Sequence, residues 1–532
     1  MRGIITKKNI LLLMIIFLLV GCSNSTDERA EVSSDNGVFY EIFVRSFADS
    51  DGDGIGDFNG ITENLDYLVD LGVKGIWLLP IYPSPSYHGY DVTDYYNVNS
   101  EYGTLDDFKK LVSEAHNKGI KVVLDMVLNH ASSEHPWFID SKENIDSDYA
   151  DYFIWADAND SSYDFSASPI DGKAWSKYGN RMYFGAFWSG MPDWNASNNK
   201  VREEFINIGQ YWIDLGVDGF RLDAAKYLYA QGEYNTDLNL LQENLDFWKE
   251  ITDGWREAKD DLYIVAEVWS GSSSVAPYYS NFDANFNFDL ADAIVSVVRR
   301  ERDLSGFGLM KNLTRMHESF EKYAGDRGYS DAIFLTNHDQ DRVMSVLNND
   351  MDLMKLAADI YLMLPGNPYI YYGEEIGMLG RKPDEDIRFP LKWGNDYETE
   401  WCKDTLNMDL DSIEVQLEDK DSLLNHYKSL IAVRNSSDAL SSGEMVALSM
   451  SKSLVIGQIR YTETEAVFIL HNISERDCEV GFSTDDENLI YSTKTGYTLK
   501  SDSVIIPSKG TMLFSIPVEE VSLYEELEIE IG

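Results

Sequence analysis

The chain has 532 residues, of which 44% are hydrophobic, and it carries a formal net charge of −47. This length is typical of a large core with an appended domain, and the composition excludes a disordered or fibrous chain. So strong a negative charge repels the phosphates of nucleic acid, but it is compatible with a neutral or cationic ligand, divalent metal ions or a saline environment.

The N-terminus predicts an export signal at residues 1–21. Three basic residues precede the apolar segment ILLLMIIFLLVG, which is too short for an ordinary membrane-spanning helix. The segment ends at Cys22 before a polar stretch, and this pattern resembles a bacterial lipoprotein signal. We therefore expect a lipid anchor on Cys22, a flexible tether at 22–36 and an extracytoplasmic protein held on a membrane, at the cell surface or in the periplasm. An ordinary secretory signal is the alternative.

The acidic segment DSDGDGIGD has the oxygen-rich spacing of a calcium-binding loop. Its candidate ligands are the carboxylates of Asp49, Asp51, Asp53 and Asp57 and the backbone carbonyl of Ile55. Gly60 occupies the place of the bidentate glutamate that completes an EF-hand. We predict a structural Ca²⁺ site in this loop, and a solvated acidic turn is the alternative.

Short apolar strands alternate with amphipathic helices over residues 37–435. The strand candidates are residues 38–44, 75–80, 121–127, 217–223, 262–268, 282–288, 332–338 and 368–373. Helical segments such as 104–119 and 199–216 each end at a glycine, as a helix stop requires. Eight strands with helices between them predict an α/β fold, the eight-stranded parallel (β/α)8 TIM barrel.

Two further regions depart from the barrel pattern. Residues 131–192, between the third and fourth strands, are rich in Trp, Tyr, Ser and Asp and have little helical period, which predicts an inserted lobe (domain B) over the barrel mouth. Residues 440–518 change to short β runs, which predict a C-terminal antiparallel β-sandwich. Besides Cys22 the only cysteines are Cys402 and Cys478, and the sequence leaves their pairing open.

Ionisable residues recur where the predicted strands end. They are His130, Arg221, Asp223, Glu267, His338 and Asp339. In a β/α barrel the C-terminal ends of all strands meet at one mouth, so these distant residues become neighbours. Fold maintenance is a poor explanation for so many buried charges, since unpaired ionisable groups cost several kcal/mol.

Arg221 and Asp223 are two positions apart in a strand, so their side chains point to the same face. The cation is expected to keep the carboxylate ionised at neutral pH. Asp223 is therefore either a nucleophile that Arg221 keeps ionised or one partner of a simple salt bridge.

Several segments together resemble the α-amylase family of retaining glycoside hydrolases, over nearly the whole chain after the leader. They are DMVLNH, GFRLDAAKY, EVW, FLTNHD, MPDWN, GIWLLP and GNPYIYYGEEIGM. The resemblance implies that Asp223 is the nucleophile, Glu267 the general acid/base and Asp339 the carboxylate that stabilises the transition state. It also implies four further sugar contacts and a stacking tyrosine. Arg221, His130 and His338 would surround the sugar, Tyr90 would stack beneath it, and Lys226 would contact it on the leaving-group side.

The chemistry of retention agrees with these roles. It needs two carboxyl groups about 5–5.5 Å apart, one attacking the anomeric carbon and one protonating the leaving oxygen. The two must differ in protonation, so Glu267 needs a less polar setting than Asp223. Trp269 is a candidate for that setting, although it is equally suited to simple packing. This mechanism needs no redox or organic cofactor.

The resemblance also bears on metal binding. Loops after the first strand bind calcium in relatives of oligo-1,6-glucosidase, which supports the site at 49–57. A second calcium site, known in many α-amylases, would use Asn129. It is not expected here, because Tyr227 stands where those proteins often have a histidine.

Two features of the sequence bear on the cleaved linkage. Ala224, directly after the nucleophile, resembles members that act on α-1,4 bonds, and the YHGYD segment lacks an aspartate that is common in exo-acting α-glucosidases. We expect a monomeric α-amylase that hydrolyses internal α-1,4 bonds of starch and maltooligosaccharides. The alternatives are an exo-acting α-glucosidase, an oligo-1,6-glucosidase or transglycosylase, and a non-catalytic glucan-binding protein.

Overall fold

The structure is a computed structural model that describes residues 37–532 except residues 167, 171, 231–239 and 526. The predicted export signal, the tether and Cys22 lie outside the described residues. Across the described part of the chain, no helix is both long enough and apolar enough to cross a bilayer.

Eight parallel strands close into a barrel, each beside the next in chain order, and the last pairs with the first. The strands are β1 (Phe39–Ile42), β2 (Gly75–Leu78), β3 (Lys121–Met126), β4 (Gly219–Leu222), β5 (Tyr263–Ala266), β6 (Ala284–Phe286), β7 (Ser330–Ile333) and β8 (Asn367–Tyr371). The predicted TIM barrel is confirmed. The seventh strand ends at Ile333, whereas the prediction continued to residue 338, because the FLTNH segment leaves the sheet at the mouth.

Amphipathic helices connect the strands. The longer ones are Leu105–Asn117, Asn199–Asp214, Leu240–Arg256, Phe288–Arg300, Leu309–Ala324, Met351–Leu362 and Leu423–Asn435. The shorter ones are Val44–Phe47, Phe58–Glu63, Leu65–Leu71, Pro136–Glu143, Ser272–Val275, Val343–Val346, Asp384–Ile387, Ile413–Glu418, Asp438–Ser442 and Val521–Tyr524. Helix Leu105–Asn117 begins with a capping box, in which Thr104 and Asp107 each bond the other's backbone N–H. Gly119, with φ at +73°, lies just beyond its end.

Aromatic side chains fill the inside of the barrel. Phe39 of β1 stacks between Tyr263 and Tyr369, with ring centroids 5.4 and 5.0 Å apart. Phe286 packs on Tyr369 at 4.9 Å and on Trp77 at 5.2 Å. The barrel is therefore a packed core rather than a pore, and polar groups can meet substrate only at its mouth.

The chain between β3 and β4 forms a small lobe. It contains helix Pro136–Glu143 and an antiparallel sheet of Trp155–Asp157, Arg181–Phe184 and Trp175–Tyr178, in that spatial order. A backbone bridge from His130 to Asp193 joins the lobe to the chain that follows β3, and a bridge from Phe153 to Trp194 joins two segments of the same insertion. The lobe is thereby placed beside the mouth of the barrel.

The C-terminal domain packs two antiparallel sheets against each other. One sheet contains Glu444–Ala447, Val455–Tyr461, Ala466–Asn472, Thr511–Ser515 and Leu489–Ser492, and the other contains Cys478–Val480, Val504–Ile506 and Thr498–Leu499. The short strands Ser449–Met450 and Glu528–Ile529 form a separate parallel pair. Phe482 lies between the sheets, stacked on Phe468 at 4.1 Å and packed on Phe514 at 5.3 Å. Cys402 and Cys478 are both free thiols.

Candidate active site

Arg221 is the centre of a charged cluster in the mouth of the barrel. Its side chain is fully buried on β4, beside Asp125 of β3 in the strand register. Nη1 donates to both carboxylate oxygens of Asp125, at 3.0 Å each, and to Oδ1 of Asp223 at 2.7 Å. Nη2 donates to Oε2 of Glu267 at 2.7 Å. One buried guanidinium therefore holds carboxyl groups from β3 and from the ends of β4 and β5.

Asp223 and Glu267 each lie one residue beyond the end of their strand. The backbone N–H of Asp223 donates to the Met126 carbonyl at 3.2 Å, and that of Glu267 donates to the Leu222 carbonyl at 2.9 Å. These bonds continue the barrel ladder and fix both backbones, while both side chains reach the mouth. Because one guanidinium bonds both carboxyl groups, the two lie close together, as retention requires.

The backbone turns sharply at Ala224, directly after Asp223. Its φ of 48° lies in the left-handed region, which is costly for a residue with a Cβ atom. The Ala224 N–H donates to Oε2 of Glu267 at 3.4 Å. The strained turn thus contributes a backbone donor to the carboxyl group that faces Asp223.

The environment of Glu267 favours its protonated form. Burial raises the pKa of Glu267 to about 7, against the opposing effect of Arg221 and with a further increase from the charge of Asp223. A large fraction of Glu267 therefore holds a proton at neutral pH, as a general acid must. Trp269, the candidate for an apolar setting, is 45% exposed and stacks on Phe288, which fits the packing alternative.

Asp339 is held as an anion by two cations. Arg388 Nη2 donates to its Oδ1 at 3.0 Å, and His338 Nε2 lies 3.2 Å from its Oδ2. Burial favours a higher pKa for Asp339, but His338 and Arg388 hold the pKa well below its ordinary value. Burial likewise favours a lower pKa for His338, but Asp339 and Glu41 outweigh it and raise the pKa to about 9. At neutral pH the site thus holds an ionised Asp339 beside a cationic His338.

Tyr90 connects the two halves of the cluster. Its hydroxyl lies 2.7 Å from His338 Nε2 and donates to Oδ2 of Asp125 at 3.1 Å. Its ring is nearly parallel to that of His338, with centroids 5.6 Å apart. Tyr90 is half-buried at the mouth, a position that is compatible with the predicted stacking beneath a sugar.

His130 and Lys226 lie on the side of the mouth that faces the lobe. His130 is buried against the edge of Phe187, with ring centroids 5.1 Å apart, and its Nε2 has no hydrogen-bond partner among the described residues. Burial lowers the pKa of His130, so the ring is neutral and can bond a sugar hydroxyl. Lys226 lies further out, where its Nζ donates to the Trp269 carbonyl at 2.7 Å.

Four residues of the cluster were not singled out from the sequence: Glu41, Trp77, Asp125 and Arg388. Trp77 Nε1 donates to Asp125 at 3.2 Å, and its ring lies 5.0 Å from the guanidinium carbon of Arg221. Glu41 and Asp125 are acidic residues inside apolar strands, which is a signal that could have found them. Arg388 comes from irregular chain after β8, where no periodic pattern marks it.

The acidic loop after β1 brings three carboxyl groups together. Oxygens of Asp49, Asp51 and Asp57 all lie within 4.8 Å of one another. Such a set of carboxylate oxygens fits the ligand preference of Ca²⁺. Asp53, also predicted as a ligand, is not part of this group, and its Oδ1 accepts the N–H of Ile55 at 2.8 Å.

Comparison with known proteins agrees with the barrel fold. Residues 41–443 match the family described as "Alpha amylase, catalytic domain". Alpha-amylase 3 of Dictyoglomus thermophilum is 40% identical over 515 residues, which cover 95% of this chain and 98% of that protein. An oligo-1,6-glucosidase of Heyndrickxia coagulans is 30% identical over 85% of this chain and 93% of its own length.

A solved structure shares this fold over most of the chain. The crystal structure of an α-amylase from H. orenii superposes with a TM-score of 0.83 at 40% sequence identity, covering 91% of this chain and 100% of that one. The family match, the relatives and the fold point the same way. The chain belongs to the α-amylase family and is a glycoside hydrolase.

Proposed function

We propose that this enzyme hydrolyses internal α-1,4-glucosidic bonds of starch and maltooligosaccharides with retention of the anomeric configuration. The observation that carries the proposal is the pair of hydrogen bonds from Arg221 to Asp223 and to Glu267, each 2.7 Å long. They bring an attacking group and a proton donor to one place in the mouth. An ionised Asp339 lies in the same cluster.

The reaction takes two steps. Asp223 attacks the anomeric carbon while Glu267 donates its proton to the glycosidic oxygen, so the bond to the leaving chain breaks and a glycosyl–enzyme ester forms. Glu267, now ionised, removes a proton from water, and the hydroxide attacks the same carbon and releases Asp223. The positive charge that develops on the sugar ring is stabilised by the nearby carboxylate of Asp339.

Several observations favour long α-1,4-linked substrates. The relative with 40% identity is named an α-amylase, whereas the oligo-1,6-glucosidase is 30% identical. Trp188 and Trp269 on the rim are 51% and 45% exposed, and exposed aromatic rings of this kind can stack on further sugar units. Ala224 supports the α-1,4 assignment through its resemblance to members with that linkage.

The product pattern tests this proposal. An endo-acting enzyme is expected to abolish the starch–iodine colour rapidly and to release mixed maltooligosaccharides, with no glucose from isomaltose. Chromatography of digests of starch, maltotriose, pullulan and isomaltose measures this pattern. Glucose as the sole product from chain ends would instead identify an α-glucosidase, and cleavage of isomaltose an oligo-1,6-glucosidase.

We propose further that Ca²⁺ binds at Asp49, Asp51 and Asp57 and stabilises the loop after β1. Asp57 also caps helix Phe58–Glu63 by accepting the N–H of Gly60 at 2.8 Å, so the site connects the loop to the first helix that follows it. A bound ion would neutralise the mutual repulsion of the three carboxylates.

Calcium removal is expected to lower the melting temperature. A ligand at one hundred times its Kd stabilises the folded state by about 2.7 kcal/mol. Asp51→Asn should abolish the difference between melting curves with calcium and with chelator. Asp53→Asn, outside the three-residue group, should preserve it. The site would be excluded if neither chelator nor Asp51→Asn changed the melting temperature and elemental analysis found no calcium.

We also propose that the mature enzyme is held outside the cytoplasm on a membrane by a lipid on Cys22, in keeping with the leader sequence. Expressed in a bacterium, the full chain is expected to fractionate with membranes and to gain the mass of a diacylglyceryl group at Cys22. Cys22→Ala should move activity to the soluble fraction. A soluble, unmodified parental chain would refute the anchor.

A further inference from the structure

Glu41 is a buried acid that takes no part in the two reaction steps. It lies inside β1 at 1% exposure, beside Trp77 of β2 and Tyr371 of β8 in the strand register. Its Oε1 accepts the backbone N–H of His338 at 3.3 Å and lies 2.6 Å from Nδ1 of the same residue. An ionised carboxyl group at this depth is costly unless it has a specific partner, and His338 is that partner.

Both ring nitrogens of His338 face an acceptor. Nδ1 faces Glu41, and Nε2 lies 3.2 Å from Oδ2 of Asp339 and 2.7 Å from the Tyr90 hydroxyl. The Tyr90 hydroxyl donates its own hydrogen to Asp125, so its oxygen is left to accept from Nε2. A neutral imidazole has one N–H, whereas these contacts need two, so the geometry favours the cationic ring.

Titratable and charged groups from several barrel elements surround His338. They are Glu41, Tyr90, Asp125, Glu267, Asp339 and Arg388. Burial lowers the pKa of His338, but Asp339 and Glu41, whose carboxylates contact the two ring nitrogens, raise it to about 9. Without the charge of Glu41, burial would be opposed mainly by Asp339, and the ring would lose its proton at a lower pH.

We propose that Glu41 is a positioning residue, which holds His338 in its doubly protonated form so that Nε2–H orients the Asp339 carboxylate and keeps it ionised. In the proposed reaction Asp339 stabilises the positive charge on the sugar ring. The effect of Glu41 on turnover therefore rests on the proposed function, while the charge of His338 does not. Arg388 is a second cation on Asp339, so loss of the Glu41 charge should weaken turnover without abolishing it.

The charge of His338 can be measured on the full-length parental chain. Long-range proton–nitrogen correlation spectra of histidine-labelled protein distinguish a cationic ring from either neutral tautomer, and His338→Gln identifies the signal by its loss. We expect a cationic His338 at about pH 8, well above the ordinary histidine pKa of about 6.5. A neutral ring at that pH would place the proton on Glu41 and would overturn the proposal.

Glu41→Gln removes the charge and keeps the shape of the side chain, because the amide oxygen can still accept the Nδ1–H. In this variant His338 should be neutral at about pH 8, and kcat on maltoheptaose should fall about tenfold or more at about pH 7. The ratio of parental to variant kcat should shrink as the pH is lowered to about 5, because His338 regains its proton. Glu41→Asp keeps the charge, so its ratio should not depend on pH.

Glu374→Gln is the matched control, since it makes the same change at another buried glutamate. Glu374 is 3% exposed, and its Oε1 accepts the hydroxyls of Tyr361 and Tyr427, which belong to helices outside the barrel. Burial raises the pKa of Glu374 to about 8, so the group is largely protonated at neutral pH and an amide replaces it closely. Its kcat should match that of the parental chain at each pH.

The outcomes separate this inference from the proposed function. A kcat ratio for Glu41→Gln that is the same at every pH would overturn the positioning role, as would a ring that stays cationic in that variant. Failure of the parental chain to hydrolyse any glucan would overturn the proposed function instead. The spectra still report the charge of His338 in that case, because they do not depend on turnover. Melting curves establish that each variant is folded, and the parental spectrum needs no change at Glu41.

Discussion

Asp223→Asn is expected to lower kcat on starch by about four orders of magnitude or more, with the fold intact. An amide does not attack the anomeric carbon, and loss of the nucleophile from a covalent mechanism has effects of at least this size. The asparagine side chain can still accept the hydrogen bond from Arg221 Nη1, so the buried guanidinium keeps a partner. Initial rates of reducing-end release, together with melting curves, measure both expectations.

The matched control is Asp214→Asn. Asp214 is an exposed aspartate at the end of helix Asn199–Asp214, before the start of β4, whereas the cluster lies beyond the end of that strand. Its replacement should leave kcat unchanged. Parental activity in the Asp223→Asn variant would remove Asp223 from the mechanism. A variant that melts far below the parental chain would show that the carboxylate has a structural role.

Glu267→Gln is expected to lower kcat on starch by about 10³-fold, within the range that general acid–base catalysis contributes. A nitrophenyl maltooligosaccharide has a leaving group that needs no proton, so the variant should still form the glycosyl–enzyme from it. The second step also needs Glu267, as the base that activates water. We therefore expect a burst of nitrophenol equal to the enzyme concentration, followed by very slow turnover.

The pH profile gives an independent measure of the same residue. The general acid must be protonated in the free enzyme, and the pKa of Glu267 is raised to about 7, with burial as the main cause. The kcat/KM of the parental enzyme should therefore be sustained below this pH and fall as the pH rises through about 7. Glu267→Gln should lose this alkaline limb. A limb that persists in Glu267→Gln would assign the titration to another group.

The fold was largely predictable because barrel strands and helices leave different periods in the sequence. Each of the eight strands overlaps its predicted segment, since a buried parallel strand is a continuous apolar run between turn signals. The end of β7 was misjudged because Phe334 and Leu335 continue the apolar run beyond Ile333, the last residue of the strand. Apolar character alone does not distinguish a strand from the buried loop that follows it.

The contact between Arg221 and Asp223 was predictable because alternation within one strand is a local property. The bonds from Arg221 to Asp125 and Glu267 depend on the register between neighbouring strands, which one sequence does not specify. Arg388 was missed for a related reason. It reaches Asp339 from irregular chain whose path is set by tertiary packing rather than by any repeat.

The calcium loop shows the same limit at short range. Regular spacing suggested that the carboxylates at alternate positions would converge, yet Asp53 turns to the N–H of Ile55 and only three carboxyl groups meet. Side-chain bonds to nearby backbone amides compete with convergence in loops rich in Asp and Gly. Spacing predicts which residues are available to a metal ion, and the loop's own hydrogen bonds select among them.

The proposed mechanism requires Asp223 and Glu267 to act as a retaining pair on one sugar. Proton NMR of the first products released from maltoheptaose tests this directly, before the sugar mutarotates. The double-displacement mechanism predicts α-anomers as the initial products, because two displacements at the same carbon restore its configuration. Initial β-anomers would mean that water attacks in a single displacement, and that result would contradict the double-displacement mechanism.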